Sequence, residues 1–257
     1  MNGPTFTSSV TTLENWDVSK VNNMIEMFRK DLDECSRAAL PGSSFQRLNI
    51  AKWDVSSVHD ISFMFAYPET NPADSDSYYL VHGSDFNEPI HGWDVSKVQR
   101  TAMLFTSAVS FNQPLGDWDV SRVTAMFGMF QRATSFNSPI GNWDVSRVSH
   151  MWKMFSAIET GLDRNAKLDG MPGRVKSLKW TSRFNQPIGQ WDVSRVTDTR
   201  SMFESASRFN QPLENWDVSR VTNMQTMFAS ATAFNQPLAN WDVSTVRRTS
   251  DMFNSPP

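Results

Sequence analysis

Phe-Asn-Gln-Pro-Leu-Glu-Asn-Trp-Asp-Val-Ser-Arg-Val-Thr-Asn-Met-Gln-Thr-Met-Phe-Ala-Ser-Ala, at residues 209–231, is the clearest copy of a motif that recurs along the whole 257-residue chain. Its Trp-Asp-Val triplet occurs eight times, beginning at Trp16, Trp53, Trp93, Trp118, Trp143, Trp191, Trp216 and Trp241. Four of the seven spacings are 25 residues, which sets the length of the unit. Self-similarity at a fixed period of this size predicts a repeat protein. We number positions from the tryptophan, which is position 0.

The unit is too short to fold alone. Apolar residues recur about every three positions from Val221 to Phe234, which favours a helical turn or tight coil. The alternation around Trp216 and Val218 favours a short strand. A unit of one strand and one turn buries its apolar face only against neighbours. The sequence therefore predicts a single solenoid domain over 1–257, with about eight 25-residue coils, each a short parallel strand plus a helical or 3-10 turn.

Three spacings, of 37, 40 and 48 residues, exceed the unit length and predict inserted loops at about 29–45, 66–85 and 156–183. Unique loops on a regular scaffold are common sites of recognition. The second insertion holds all three tyrosines and the third is rich in cations, which makes these residues interaction candidates: Tyr67, Tyr78, Tyr79, Arg174, Lys176, Lys179 and Trp180. Partner docking and simple loop elaboration are both open interpretations.

Composition excludes several classes of protein. A net charge of -3 gives no overall attraction to nucleic acid or to an anionic membrane. The single cysteine, Cys35, permits no intrachain disulfide and no cysteine-ligated zinc cluster. No apolar run approaches the roughly 20 residues of a membrane helix, and residues 1–6 lack the basic and apolar regions of a signal peptide. We expect no membrane span, and the compartment stays open.

The repeat Phe-Asn-Gln-Pro-Leu-x-x-Trp-Asp-Val-Ser-x-Val-Thr-x-Met-x-x-Met-Phe resembles the BspA-like branch of the leucine-rich-repeat surface proteins. The resemblance covers nearly the whole chain. It implies a leucine-rich-repeat-like solenoid that acts in adhesion or protein interaction at the cell surface. The insertions, the absence of an export signal and an end at 251–257 without a polar capping unit depart from that family's layout. They favour a second interpretation, a soluble scaffold subunit of a larger assembly, intracellular or organellar, and both interpretations stay open.

Three repeated side chains have structural interpretations. The Asp at position +1 is suited to accept backbone N–H bonds and cap the following turn, and no second acidic column supplies the oxygens that calcium needs. An amide ladder is predicted for Asn112, Asn137, Asn185, Asn210 and Asn235. The tryptophan is more typical of a core ladder than of a carbohydrate-stacking platform.

Position +4 is basic in six repeats: Lys20, Lys97, Arg122, Arg147, Arg195 and Arg220. We call these six residues the basic column. A core position would not hold six cations, so we expect them to face solvent. Two interpretations are open: a solvated face paired with local acids, or a stripe that binds an acidic protein, a glycan or lipid headgroups.

No catalytic arrangement is found in the sequence. The histidines His59, His82, His91 and His150 have no metal-binding spacing, and no Gly-x-Ser-x-Gly or phosphate-binding Gly-rich loop occurs. We expect no enzyme activity, no cofactor and no metal. The predicted function is a protein–protein interaction or adhesion module whose partner is another protein or a large assembly, and not nucleic acid. The alternative is a glycan- or polyanion-binding module that uses the basic column.

Overall fold

The computed structural model describes residues 13–28, 48–66, 84–157 and 181–254. These ranges contain all eight Trp-Asp-Val-Ser segments. The predicted insertion at 29–45 lies outside them, and the insertions at 66–85 and 156–183 lie outside them except at their ends. Within these ranges the 3-10 helix Leu13–Asn15 is the only helix, and pairing between strands is limited to isolated bridges. No helix in this part of the chain has the length and apolar character that a bilayer crossing requires.

Consecutive repeats lie side by side in register. Parallel bridges join the residue at position +7 of each repeat to the same position of the next, in the order Asn23, Asp60, Arg100, Ala125, His150, Asp198, Asn223 and Arg248. The register is kept across all three long spacings. A slip of one residue would move buried side chains to the other face, so the common core pattern fixes this register.

The short strand expected around Trp216 and Val218 is absent there, since the bridge falls at Asn223. Local turns explain the difference. The Ser219 N–H donates to Asp217 Oδ1 at 3.0 Å, and the Val221 N–H donates to the Val218 carbonyl at 2.9 Å. These bonds occupy backbone groups that a strand would pair with its neighbour.

The segment from position +8 to position +12 joins each repeat to the next. Between repeats 5 and 6, the N–H groups of Met151, Lys153 and Phe155 donate to carbonyls of the following repeat at 3.2, 3.0 and 2.9 Å. The N–H of Met154 instead donates back to Met151, which closes a tight turn. Alternate N–H groups thus donate to the next repeat, which forms the joint between the two repeats, and back within the turn. The backbone polar groups of the 25-residue unit are hydrogen-bonded in this way without a long strand.

A left-handed residue at position +10 makes this turn possible in every repeat. The residues are Glu26, Phe63, Met103, Gly128, Lys153, Ser201, Thr226 and Asp251, with φ between 50° and 60°. The left-handed region is unfavourable for residues with a Cβ, and Gly128 alone avoids the cost. At Gly128 a Cβ would lie 2.9 Å from Met103 Cγ, so glycine also makes room for a side chain of the preceding repeat.

Aromatic rings fill the core. The Phe at position +12 stacks on the Phe that precedes the next tryptophan, with ring centroids 3.8 Å apart for Phe130 and Phe136 and 4.2 Å apart for Phe203 and Phe209. The tryptophans from Trp53 to Trp241 are between 2% and 8% exposed. The indole N–H of each donates to a carbonyl of the preceding repeat at 2.8–3.1 Å. The core-ladder interpretation of the tryptophan is confirmed.

The asparagine ladder is also present. Each Asn Oδ1 accepts the backbone N–H of the equivalent Asn in the next repeat, at 2.8 or 2.9 Å. The ladder begins one repeat earlier than predicted, at Asn87, whose neighbour in the motif is Glu88 rather than glutamine. These bonds pair the amide oxygen of one repeat with the backbone of the next, so the ladder reinforces the stacking.

Candidate functional site

The six side chains of the basic column all lie on exposed turns, one in each of repeats 1 and 3 to 7. None of them forms a salt bridge with another described residue. After the hydrogen bonds of the serine at position +3, the positive charges of Lys97, Arg147 and Arg220 also lower the pKa of the Asp at position +1 in the same repeat. The column therefore presents exposed cations that interact with local carboxylates without forming salt bridges.

The repeated Asp caps the turn in all eight repeats, as predicted. Its Oδ1 accepts the N–H of the Ser two residues later at 3.0–3.1 Å. Hydrogen bonds from that serine's hydroxyl and N–H lower the pKa of Asp17, Asp54, Asp94, Asp144 and Asp217. For Asp242 the N–H of Ser244 is the larger cause of the lowered pKa. These groups stabilise the charged carboxylate, which is the form that caps the turn.

The loop candidates Tyr67, Tyr78, Tyr79, Arg174, Lys176, Lys179 and Trp180 lie outside the described residues. They stay predictions. In the ranges that the structure does describe, no three His, Cys, Asp or Glu side chains are grouped so as to hold a metal ion.

A second surface, which the sequence did not reveal, lies along positions +7 and +9. Position +8 is buried in most repeats, as at Met126 and Met151, and the positions before and after it are more exposed in most repeats. The exceptions are Asp60, Ser62, Ala102 and Asn223, which are buried. We call positions +7 and +9 the variable face, because their residue types change from repeat to repeat. Position +9 holds Ile25, Ser62, Ala102, Phe127, Trp152, Arg200, Gln225 and Ser250.

Three consecutive residues at position +9 form a stack, which we call the aromatic cluster: Phe127, Trp152 and Arg200. The Phe127 and Trp152 rings are nearly parallel, with an interplanar angle of 9° and centroids 4.4 Å apart. The Arg200 guanidinium lies 4.8 Å from the centroid of the Trp152 ring. All three side chains are half-buried. Trp152 is thus held between an aromatic ring and a cation, an arrangement that fixes its orientation.

The backbone of repeats 4 to 6 places these side chains in line, since the parallel bridges run from Ala125 through His150 to Asp198. Arg200 is fixed further by Asp198. The Arg200 N–H donates to Asp198 Oδ1 at 3.0 Å, and Arg200 Nε lies 3.5 Å from Asp198 Oδ2. Two contacts with Asp198 therefore hold Arg200 in place beside Trp152.

Polar groups also lie on the variable face near the aromatic cluster. Arg100 and Asp60 form an ion pair at 3.6 Å in repeats 2 and 3. The exposed His150 precedes Trp152 by two residues, and its Nδ1 is 2.8 Å from Ser149 Oγ. An apolar centre with a charged border is typical of a surface that binds a protein.

Eight similar units stacked in register show that this is a repeat protein, in which equivalent positions of each unit build the core. Family comparison agrees, since the family model described as "Mycoplasma protein of unknown function, DUF285" matches three times, over residues 4–81, 75–166 and 175–256. The chain belongs to this family. No curated protein and no solved structure is significantly similar to it.

The resemblance to BspA-like leucine-rich-repeat proteins is wrong, because the family model that matches is a different one and no leucine-rich-repeat model matches. The core explains how the two motifs could be confused. Both repeat apolar residues at short intervals. The buried positions here hold mainly Trp, Phe, Met and Val, and the Leu or Ile three residues before the tryptophan is one position among several.

Proposed function

We propose that this protein is a non-enzymatic protein-binding module, a solenoid of about eight stacked repeats that presents the variable face to a partner protein. The stacking of equivalent residues supports the solenoid. The repeated core supplies a rigid scaffold, and the variable face supplies residue types that differ from repeat to repeat. In repeat proteins, a surface with a regular backbone and varying side chains serves as an extended binding surface.

One observation carries the proposal: the half-buried Trp152 is held between Phe127 and Arg200 on the variable face. Trp and Arg are the residue types most enriched at the centres of protein interfaces. A large side chain at the surface without such neighbours would sample several rotamers. Because stacking already orders Trp152, binding would cost little side-chain entropy at this position.

The charged border supports a protein partner over a small apolar ligand. In the Asp60–Arg100 and Asp198–Arg200 pairs a carboxylate lies against each cation, so these arginines are partly neutralised where they lie. A partner with apolar side chains at its centre and mixed charge around them would match this surface. Both an adhesion protein and a scaffold subunit could bind a partner through this face. The two roles differ in whether the partner lies at the cell surface or within a larger assembly.

The test compares capture of a partner by the wild type and by Trp152→Ser, with Val243→Ser as the matched control. Val243 is a large apolar residue, 52% exposed, at position +2 and away from the variable face. A partner identified with the wild type should bind Trp152→Ser about 30-fold more weakly, which corresponds to about 2 kcal/mol for a hot-spot residue. Val243→Ser should bind like the wild type.

Circular dichroism must show that both variants are folded. Equal affinity of the wild type and Trp152→Ser for the partner would overturn the proposal. A third variant replaces the 156–183 insertion with the short connection of a 25-residue unit. If only that variant loses the partner, recognition belongs to the insertion with Arg174, Lys176, Lys179 and Trp180, and the variable face is not the binding surface.

A further inference from the structure

Repeat 8 departs from the basic column. Position +4 is Thr245 there, and the cation moves two residues on, to Arg247 at position +6. In the seven preceding repeats position +6 holds Asn, His, Gln, Thr or Ser. The change places Arg247 next to Arg220 of repeat 7 in a shared depression, which we call the terminal groove.

The terminal groove is open and polar. The residues that line it include Arg220, Arg247, Thr197, Thr222, Ser219 and Ser244, and none of its lining residues is a carboxylate. Both arginines are exposed, and neither forms a salt bridge with a described residue. Arg220 interacts by charge with Asp217, whose pKa it lowers after the Ser219 hydrogen bonds. Two exposed guanidinium groups without a salt bridge in one depression favour an anionic ligand, since a guanidinium matches the planar or tetrahedral oxygens of carboxylate and sulfate.

The threonines of the groove limit which anion fits. Thr222 Oγ1 donates to the Thr197 carbonyl at 3.1 Å, and Thr197 Oγ1 donates to the Ser149 carbonyl at 3.2 Å. Their hydroxyl protons are committed, so the free lone pairs can only accept hydrogen bonds. A ligand must therefore bring hydroxyl donors as well as negative charge. Sugars provide several such hydroxyls, whereas sulfate and a phosphomonoester dianion have none.

The basic column extends the groove along the stack. Arg195, Arg147 and Arg122 precede Arg220 at one cation per repeat, and hydroxyl side chains at Thr124 and Ser149 accompany them at position +6. This pattern is linear. No aromatic side chain lines the groove, so it lacks the stacking platform on which single-stranded nucleic acids bind.

We propose that the terminal groove binds a linear anionic polysaccharide, with sulfate or carboxylate groups on Arg220 and Arg247 and sugar hydroxyls donating to the threonine oxygens. The rest of the chain lies along the basic column towards Arg195. The site lies at positions +4 and +6, apart from the variable face at +7 and +9. The proposal is therefore independent of the proposed protein partner.

The test measures binding of a heparin-derived octasaccharide to the whole chain by titration calorimetry at several salt concentrations. Arg220→Gln and Arg247→Gln should each weaken binding about fivefold, and the double variant about 25-fold. The slope of log K against log salt should fall by about two in the double variant, because two fewer cations release counterions. Arg248→Gln is the matched control, since this exposed arginine adjoins Arg247 but does not line the groove.

The site is supported if the wild type binds the octasaccharide, Arg248→Gln binds it with an affinity within twofold of the wild type, and the double variant loses binding. Three results would overturn it. The first is that the octasaccharide does not bind the wild type. The second is that Arg248→Gln weakens binding as much as Arg247→Gln, which means that attraction is diffuse. The third is that a single-stranded oligonucleotide of equal charge binds the wild type as tightly as the octasaccharide does. Circular dichroism of the variants excludes unfolding as the cause of a loss.

Discussion

Replacing Trp143 by phenylalanine tests the repeated tryptophan ladder at its centre. Trp143 is 4% exposed, and its ring is parallel to that of Trp191, with centroids 6.4 Å apart. Its indole N–H donates to the Leu115 carbonyl at 2.8 Å. Phenylalanine keeps a stacking ring but removes this donor and the outer part of the indole.

The expected cost follows from these contacts. The Leu115 carbonyl also accepts the Trp118 N–H at 3.1 Å, so the substitution leaves it with one partner. Losing the second bond should cost about 1 kcal/mol, rather than the larger penalty for a buried group with no partner. The cavity left by the smaller ring adds about 1–2 kcal/mol. We therefore expect Trp143→Phe to lower the free energy of unfolding by about 2–3 kcal/mol.

Thermal unfolding followed by far-ultraviolet circular dichroism measures this change without relying on tryptophan fluorescence. For a chain of this size, 2–3 kcal/mol corresponds to a fall in Tm of about 4–12 °C. Trp16→Phe is the control. Trp16 lies in repeat 1 and is only half-buried, so its replacement should cost about 1 kcal/mol or less.

A loss below about 0.5 kcal/mol for Trp143→Phe would refute the ladder as a source of stability. Equal losses for Trp143→Phe and Trp16→Phe would refute the role of burial, since the two positions share a motif and differ in how deeply they are buried.

Two further predictions concern the turns. Hydrogen bonds from the Ser146 hydroxyl and N–H lower the pKa of Asp144. The charged Asp144 carboxylate therefore stabilises the fold fully above the ordinary carboxyl pKa of about 3.9, and this stabilisation is lost as pH falls through the lowered pKa of the folded state. Urea midpoints from pH 6 to pH 3 should therefore fall less for Asp144→Asn, which keeps the acceptor oxygen but does not titrate, and an unchanged pH dependence would contradict this. Ser205 has φ of 59°, so Ser205→Gly should raise the free energy of unfolding by about 0.5–1 kcal/mol in the same urea assay. Ser207→Gly, at a position without positive φ, should lower it by a similar amount, and a loss of stability in both variants would contradict the role of backbone strain.

The predictions that succeeded share a physical basis. The tryptophan, the capping Asp and the ladder Asn each do the same work in every repeat, so periodicity in the sequence was sufficient to predict their roles. The left-handed backbone at position +10 is equally regular but carries no such signal. Its occupants include Phe63, Lys153 and Thr226, none of which prefers positive φ. The joint between repeats imposes this conformation, and the joint exists only once the repeats are stacked.

The aromatic cluster was missed for a related reason. Phe127 and Trp152 are 25 residues apart, and Trp152 and Arg200 are 48 apart, so they meet only when the register across the third insertion is known. Position +9 has no common residue type, so periodicity predicts no role for it. The available signal is the occurrence of two aromatic residues in consecutive repeats, at a position that elsewhere holds Ile, Ser, Ala, Arg or Gln.

Repetition also determines where specificity can arise in such a chain. A side chain present in every repeat offers a partner eight equivalent places, so it can support affinity along the stack but cannot fix one register. A partner docks in one place only where the pattern is broken. The described residues break it at position +9 of repeats 4 to 6, with Phe127, Trp152 and Arg200, and at position +6 of repeat 8, with Arg247. The first break is apolar with a charged border, and the second is cationic. The two surfaces therefore favour ligands of different chemistry.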